Sequence, residues 1–152
     1  MLSNYEIGEI NAKLEATGKT PREMRKIMAK AVIIKVNGSK SVAEFEVGDS
    51  YNLLSTTVGG LIECVTLRDK NFADMWINEN GKFSNLEVNP IATALWFDMY
   101  GNTDYICGDV IITGGADDEG ETLGLLDEEV AYFLNYGNFL FDLDSVLSEE
   151  VN

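Results

Sequence analysis

After Lys82 the chain contains no lysine or arginine. Residues 83 to 152 hold fifteen Asp and Glu side chains, whereas residues 1 to 82 hold eleven acids and eleven bases, so the whole formal charge of −15 belongs to the last seventy of 152 residues. Fifteen uncompensated carboxylates repel one another and oppose compaction. A fold that tolerates this needs a substantial core, and the 45% apolar content against 24% charged supplies one. The length suits one domain with a small appendage. The neutral half is itself uneven: residues 13 to 40 carry eight bases (Lys13, Lys19, Arg22, Arg25, Lys26, Lys30, Lys35, Lys40) against Glu15 and Glu23.

This balance argues against direct binding to nucleic acid or to an anionic membrane, both of which reward Lys and Arg. Histidine is absent, which removes Ser-His and Cys-His nucleophiles and His-ligated zinc. Cys64 and Cys107 lie in apolar runs without CxxC spacing, so both are expected to be buried reduced thiols. Met1-Leu2-Ser3-Asn4 opens no basic and apolar leader, and no apolar stretch approaches a bilayer's width. A reducing cytosol is the expected compartment.

The chain opens with helical signals. Ser3 and Glu6 make a capping box ahead of Ile7, Ile10 and Leu14, and Gly18 suits the stop. Thr20-Pro21-Arg22-Glu23 then restarts a helix with Met24, Ile27 and Met28 on one side. A helical hairpin over about residues 4 to 30 is expected, as an appendage of residues 1–30 before a single domain of residues 31–152. From Ala31 the period becomes alternating. Val32, Ile34 and Val36 share a face, Asn37-Gly38 signals a tight hairpin, and Ala43, Phe45 and Val47 return while Glu44 and Glu46 point away. Asp49 or Ser50 caps a helix to about Val58, closed by Gly59-Gly60. Leu61 to Leu67 and Phe72 to Asn78 read as a second strand pair, and Asn89-Pro90 opens a helix to Tyr100. Asp109 to Thr113 reads as a strand. Beyond the loop Ala116-Asp117-Asp118-Glu119-Gly120-Glu121, Asp127-Glu128-Glu129 occupies the first turn of a helix ending near Gly137. The expected class is α+β, a mainly antiparallel or mixed sheet with packed helices, preceded by the N-terminal helical hairpin.

Four stretches carry a resemblance over about residues 31 to 135: Val58-Gly59-Gly60-Leu61-Ile62-Glu63, Trp76-Ile77-Asn78-Glu79-Asn80-Gly81-Lys82, Asn89-Pro90-Ile91-Ala92-Thr93 and Gly108-Asp109-Val110-Ile111-Ile112-Thr113-Gly114. They resemble successive landmarks of an uncharacterised domain family frequent in bacteriophages and mobile elements. The resemblance implies a phage-encoded protein in the host cytoplasm and brings no catalytic residues with it. Physically the landmarks are turn and glycine positions, suited to ending helices and flanking buried strands.

No reactive constellation survives inspection. Ala16-Thr17-Gly18-Lys19-Thr20 resembles the end of a phosphate-binding loop, yet Lys13 stands where the first glycine is required and a helix precedes it. The acidic loop lacks the alternating oxygen ligands and final Glu of a calcium loop. No cofactor, no metal site and no enzymatic activity are expected. Trp76 and Trp96 read as core residues. The segment from Tyr136 through Phe139, Phe141 and Leu147 reads as a docked terminus, or alternatively as a partner-binding segment.

Duplex DNA presents one negative charge per about 1.7 Å of axis to the Lys and Arg grooves that bind it, and helix neighbours three or four apart lie about 5 to 6 Å from one another. A folded acidic face can therefore occupy such a groove. The expected function is a non-enzymatic anti-defence inhibitor that mimics nucleic acid and binds a basic host DNA- or RNA-binding protein, such as a restriction or CRISPR effector. Its expected contact residues are Asp117, Asp118, Glu119, Glu121, Asp127, Glu128, Glu129, Asp142 and Asp144. The alternatives are a small-nucleotide sponge with a pocket, and a self-assembling homo-oligomer that pairs residues 13 to 40 with the acidic half of another copy.

Overall fold

The computed structural model describes residues 3–4, 28–68 and 72–141, and eight elements follow one another among these described residues. They run β1 (Met28–Ile34), β2 (Lys40–Glu46), α1 (Tyr51–Val58), β3 (Ile62–Arg68), β4 (Phe72–Asn78), α2 (Pro90–Tyr100), β5 (Val110–Gly114) and α3 (Asp127–Asn135). The strands form one five-stranded sheet in the order β2-β1-β5-β4-β3, and every neighbouring pair is antiparallel.

This architecture is α+β, and it corrects the expected one. The sheet is antiparallel throughout, with no parallel pair among the described residues, and no helical hairpin is present among them. Most of that expected hairpin lies outside the described residues. Its last three positions are strand instead: Met28, Ala29 and Lys30 pair with Glu46, Phe45 and Glu44. Ladder hydrogen bonds and the burial of Ala29 beside Phe45 outweigh the local helical spacing of Met24, Ile27 and Met28, because propensity is a weak prior against tertiary pairing.

The two faces of the sheet are covered differently. Val32, Ile34, Met75, Val110 and Ile112 face Ile91, Ala92 and Leu95 of α2 and Val130 and Phe133 of α3. On the other face Ala31, Phe45 and Ile111 lie under Leu54 and Val58 of α1. β5, in the centre, is buried along its whole length, which is why Val110-Ile111-Ile112 is a continuous apolar run rather than an alternating one. The hairpin register explains the β1–β2 pattern: Val32 stands opposite Val42, and Ala31 opposite Ala43. Val32 and Ile34 thus pack under α2 and α3, whereas Phe45 packs under α1.

Caps and turns set the ends of these elements. Asn89 Oδ1 accepts the Ala92 N–H at 3.1 Å, and its amide donates to Ile34 O and Gly108 O, each at 3.0 Å. One fully buried side chain therefore caps α2 and ties it to β1 and to the entry of β5. Gly59 closes α1 at φ 78°, the left-handed position that glycine adopts without strain. Lys40 Nζ donates to Leu134 O at 3.1 Å and to Asn138 Oδ1 at 2.7 Å. It thereby places a cation at the carbonyl end of α3, where the helix dipole favours one.

The cysteines depart from expectation at one position. Both thiols are free, Cys107 is buried and Cys64 is exposed. Cys64 stands opposite Trp76 on the face that α1 covers only in part. Trp76 is half-buried there and donates to Thr113 Oγ1 at 2.9 Å. Trp96, also half-buried, stacks at 4.4 Å from Tyr100.

Candidate functional site: the acidic end of the sheet

The loop after β5 is a small hairpin of its own. Gly114 N–H donates to Leu123 O, Leu123 N–H to Gly115 O and Asp117 N–H to Glu121 O, with distances of 3.0, 2.8 and 2.9 Å, and Ala116 bridges Thr122. Asp117 holds the tip: its carboxylate accepts the N–H groups of Glu119 and Glu121, each at 2.9 Å. This is the turn chemistry that makes Asp a turn residue. Asp117 thus faces its own loop, and Asp118, Glu119 and Glu121 face solvent.

Close backbone approach seats this hairpin on the sheet. Leu125 N–H donates to Lys30 O at 2.8 Å. A methyl group on Gly124 would lie 2.7 Å from Ala29 Cβ and from Lys30 N, too close for any real side chain. The loop consequently runs against the beginning of β1, the strand end that also receives the last residues of β2. Glu46 pairs with Met28 and Glu44 with Lys30, both acids exposed. On the next turn, a methyl on Gly48 would lie 3.9 Å from Glu121 Oε2, and Asp49 follows.

Tertiary structure therefore assembles one acidic end from two distant stretches. Glu44, Glu46 and Asp49 come from the charge-neutral half, and Asp118, Glu119 and Glu121 from the base-free half. Sequence reasoning misses the first three because they belong to the half of the chain whose formal charge sums to zero. The signal available in sequence was the outward parity of Glu44 and Glu46. Lys30 is the one base among the described side chains at this end, and it forms an ion pair with Asp127 at 3.0 Å.

The remaining expected contact residues divide further. Glu128 is exposed in the first turn of α3. Glu129 is buried, and its carboxylate accepts the Leu126 N–H at 2.9 Å; it closes the start of α3 and presents no charge outward. Asp142 and Asp144 lie outside the described residues.

The other end of the sheet has a mixed character. Lys82 pairs with Asp104 and lies 4.6 Å over the ring of Tyr105. Their hydrogen bond raises the Lys82 pKa and lowers that of Asp104. No group of three or more His, Cys, Asp or Glu side chains placed to hold a metal ion occurs among the described residues, nor does a helix long and apolar enough to cross a membrane.

A family model described as a domain of unknown function, DUF3846, matches residues 28–138. The chain belongs to the DUF3846 family. The matched span starts at the first residue of β1, Met28, and ends just beyond α3, so the DUF3846 domain comprises the five strands and three helices described above and the acidic end. No curated protein and no solved structure matches the chain.

Proposed function

We propose that this DUF3846 protein is a non-enzymatic acidic interaction protein, an anti-defence inhibitor whose sheet end enters the basic groove of a host nucleic-acid-binding protein in the host cytoplasm. The observation that carries this reading is the convergence of Glu44, Glu46 and Asp49 with Asp118, Glu119 and Glu121 on a seat fixed by Gly124. A rigid set of carboxylates presents its charge without ordering a flexible tail on binding, which favours affinity. Like charges held together at one end also attract Lys and Arg from a distance, as a phosphate backbone does. The resemblance to a family frequent in bacteriophages supports a host defence effector as the target. Self-assembly through the basic stretch is less well supported, because Lys30 and Lys40 are engaged within their own chain.

The test is inhibition of DNA cleavage by purified restriction and CRISPR effectors. The protein is expected to inhibit at least one of them, with an inhibition constant that weakens steeply as salt rises. A variant with Glu44, Glu46, Glu119 and Glu121 changed to Gln and Asp49 and Asp118 to Asn should lose that inhibition. Equal inhibition by this six-acid variant would sink the reading.

A further inference from the structure

We infer that the open edge of β2 takes an extended basic segment of the partner as a sixth, antiparallel strand, with arginine or lysine at alternate positions. This rests on the proposed function for the partner's being a basic protein, and it names how that partner is held at the sheet end. β2 forms one margin of the sheet, and its register settles which main-chain groups are paired. Lys35 N–H donates to Ser39 O at 2.9 Å, and hydrogen-bonded pairs alternate along an antiparallel ladder. Ser41, Ala43 and Phe45 therefore direct their N–H and C=O groups to Ile33, Ala31 and Ala29. Those of Lys40, Val42 and Glu44 point away from β1. Val42 is 45% exposed, and Ser41, Glu44 and Glu46 are exposed as well, so this margin meets solvent. The opposite margin is guarded: on β3, Thr66 O accepts the Tyr100 hydroxyl of α2.

The side chains of that margin select the occupant. Val42, Glu44 and Glu46 alternate with Ala43 and Phe45 and so share one face. Lys40 belongs to the same face, yet its ammonium donates to Leu134 O and Asn138 Oδ1 at the end of α3. Lys30, which stands opposite Glu44 on β1, forms its ion pair with Asp127. The margin thus reads apolar, acid, acid at alternate positions, and the turn that follows adds Asp49 and, beside Gly48, Glu121. An incoming strand meets these side chains at Cβ separations of about 4.5 to 5.5 Å, where opposite charges attract and like charges repel. Running antiparallel, it presents a base to Glu46, a base to Glu44 and an apolar residue to Val42, in that order from its N-terminus. Main-chain pairing then holds the segment, and the alternate side chains make it specific. A second copy of this chain fits worse, since it brings a further charge of −15.

Amide chemical-shift titration of the full chain with the end-blocked peptide Thr-Arg-Thr-Arg-Thr-Val-Thr tests this. Shifts should concentrate at Lys40 to Glu46. N-methylation of the second arginine and the valine, whose amides face β2, should weaken binding about ten-fold, the loss of two main-chain hydrogen bonds. N-methylation of the two threonines beside the second arginine, whose amides face away, should leave it unchanged at the same net charge. Val42→Pro removes an outward N–H and keeps the β1 ladder, as an edge strand tolerates, and should weaken the parent peptide about five-fold. The methylated peptides carry the test even where that variant fails to fold. No binding, equal binding of all three peptides, or shifts centred away from β2 overturns the proposal. So do concentration-dependent shifts of the same amides without peptide, which would assign the margin to a second copy. The two readings fail separately. If Val42→Pro and the inward methyl groups change nothing while the protein inhibits an effector, this inference falls and the sheet-end reading stands. If binding depends on the inward amides in a protein that inhibits no effector, the sheet-end reading falls and this one stands.

Discussion

Asn89 joins α2, β1 and the turn before β5 by three hydrogen bonds from a side chain with no solvent exposure. Asn89→Ala removes the cap and leaves two carbonyls and an amide without partners. A loss of about 3 kcal/mol is expected from cap and unsatisfied-group terms together, read as the shift of a urea unfolding curve; a loss under about 1 kcal/mol would contradict this account of the site. Cys64 gives a second prediction. Partial burial first, then the neighbouring Asp74 carboxylate, push its thiol from 9.0 up to about 11. Folding therefore holds the proton on sulfur. That contribution is intact below the ordinary thiol value and is lost as pH rises through the folded one. Alkylation of Cys64 should accelerate around pH 11 in the native protein, and Asp74→Asn should move the onset downward; an onset that the substitution leaves in place would show that the carboxylate does not act on the thiol, and a native onset near 9 that burial does not either.

At the level of elements, the acidic hairpin, the start of α3 and β1 behave as one unit. Gly124 meets Ala29 and Lys30, Gly114 meets the carbonyl of Gly124, and Asp127 pairs with Lys30. Gly124→Ala cannot be absorbed by a side-chain rotation, because the atoms it strikes include backbone. It should destabilise the domain by about 2 kcal/mol, within the range for overpacking, and should raise amide exchange from residues 115 to 125 more than elsewhere. Uniform exchange across the sheet would mean that the seat does not hold the loop. At the far end of α3, Lys40 does from β2 what a basic residue of the helix's own last turn otherwise does; α3 has none there, since the base-free half cannot supply one.

For the molecule as a whole, charge is the dominant variable. The acidic end gathers carboxylates that only Lys30 offsets among the described side chains there, and repulsion among exposed charges falls as the screening length shortens to about 10 Å at 0.1 M salt. Raising sodium chloride from about 20 to about 300 mM should stabilise the protein by about 1 kcal/mol, a few degrees in melting midpoint for a domain of this size. In the six-acid variant calorimetry should find that rise flattened. A variant with the full salt response would place the repulsion elsewhere on the surface.

Much of the local structure was legible in the sequence because it depends on neighbours in the chain. Asn37-Gly38 turns β1 into β2, Asn89-Pro90 opens α2, Gly59 ends α1, and Asp127-Glu128-Glu129 sits in the first turn of α3. The base-free run after Lys82 likewise fixed where surplus charge originates. Tertiary structure alone decided that Met28 to Lys30 are strand, that Cys64 is exposed, that Glu129 turns inward, and that Glu44, Glu46 and Asp49 join the loop of Asp118, Glu119 and Glu121. The strand and the acidic end depend on partners far away in the chain, Phe45 for Ala29 and Ala29 for Gly124, whereas Glu129 turns to the Leu126 N–H three residues before it. Periodicity reports which way a side chain points from its own element, and only packing decides what stands opposite it.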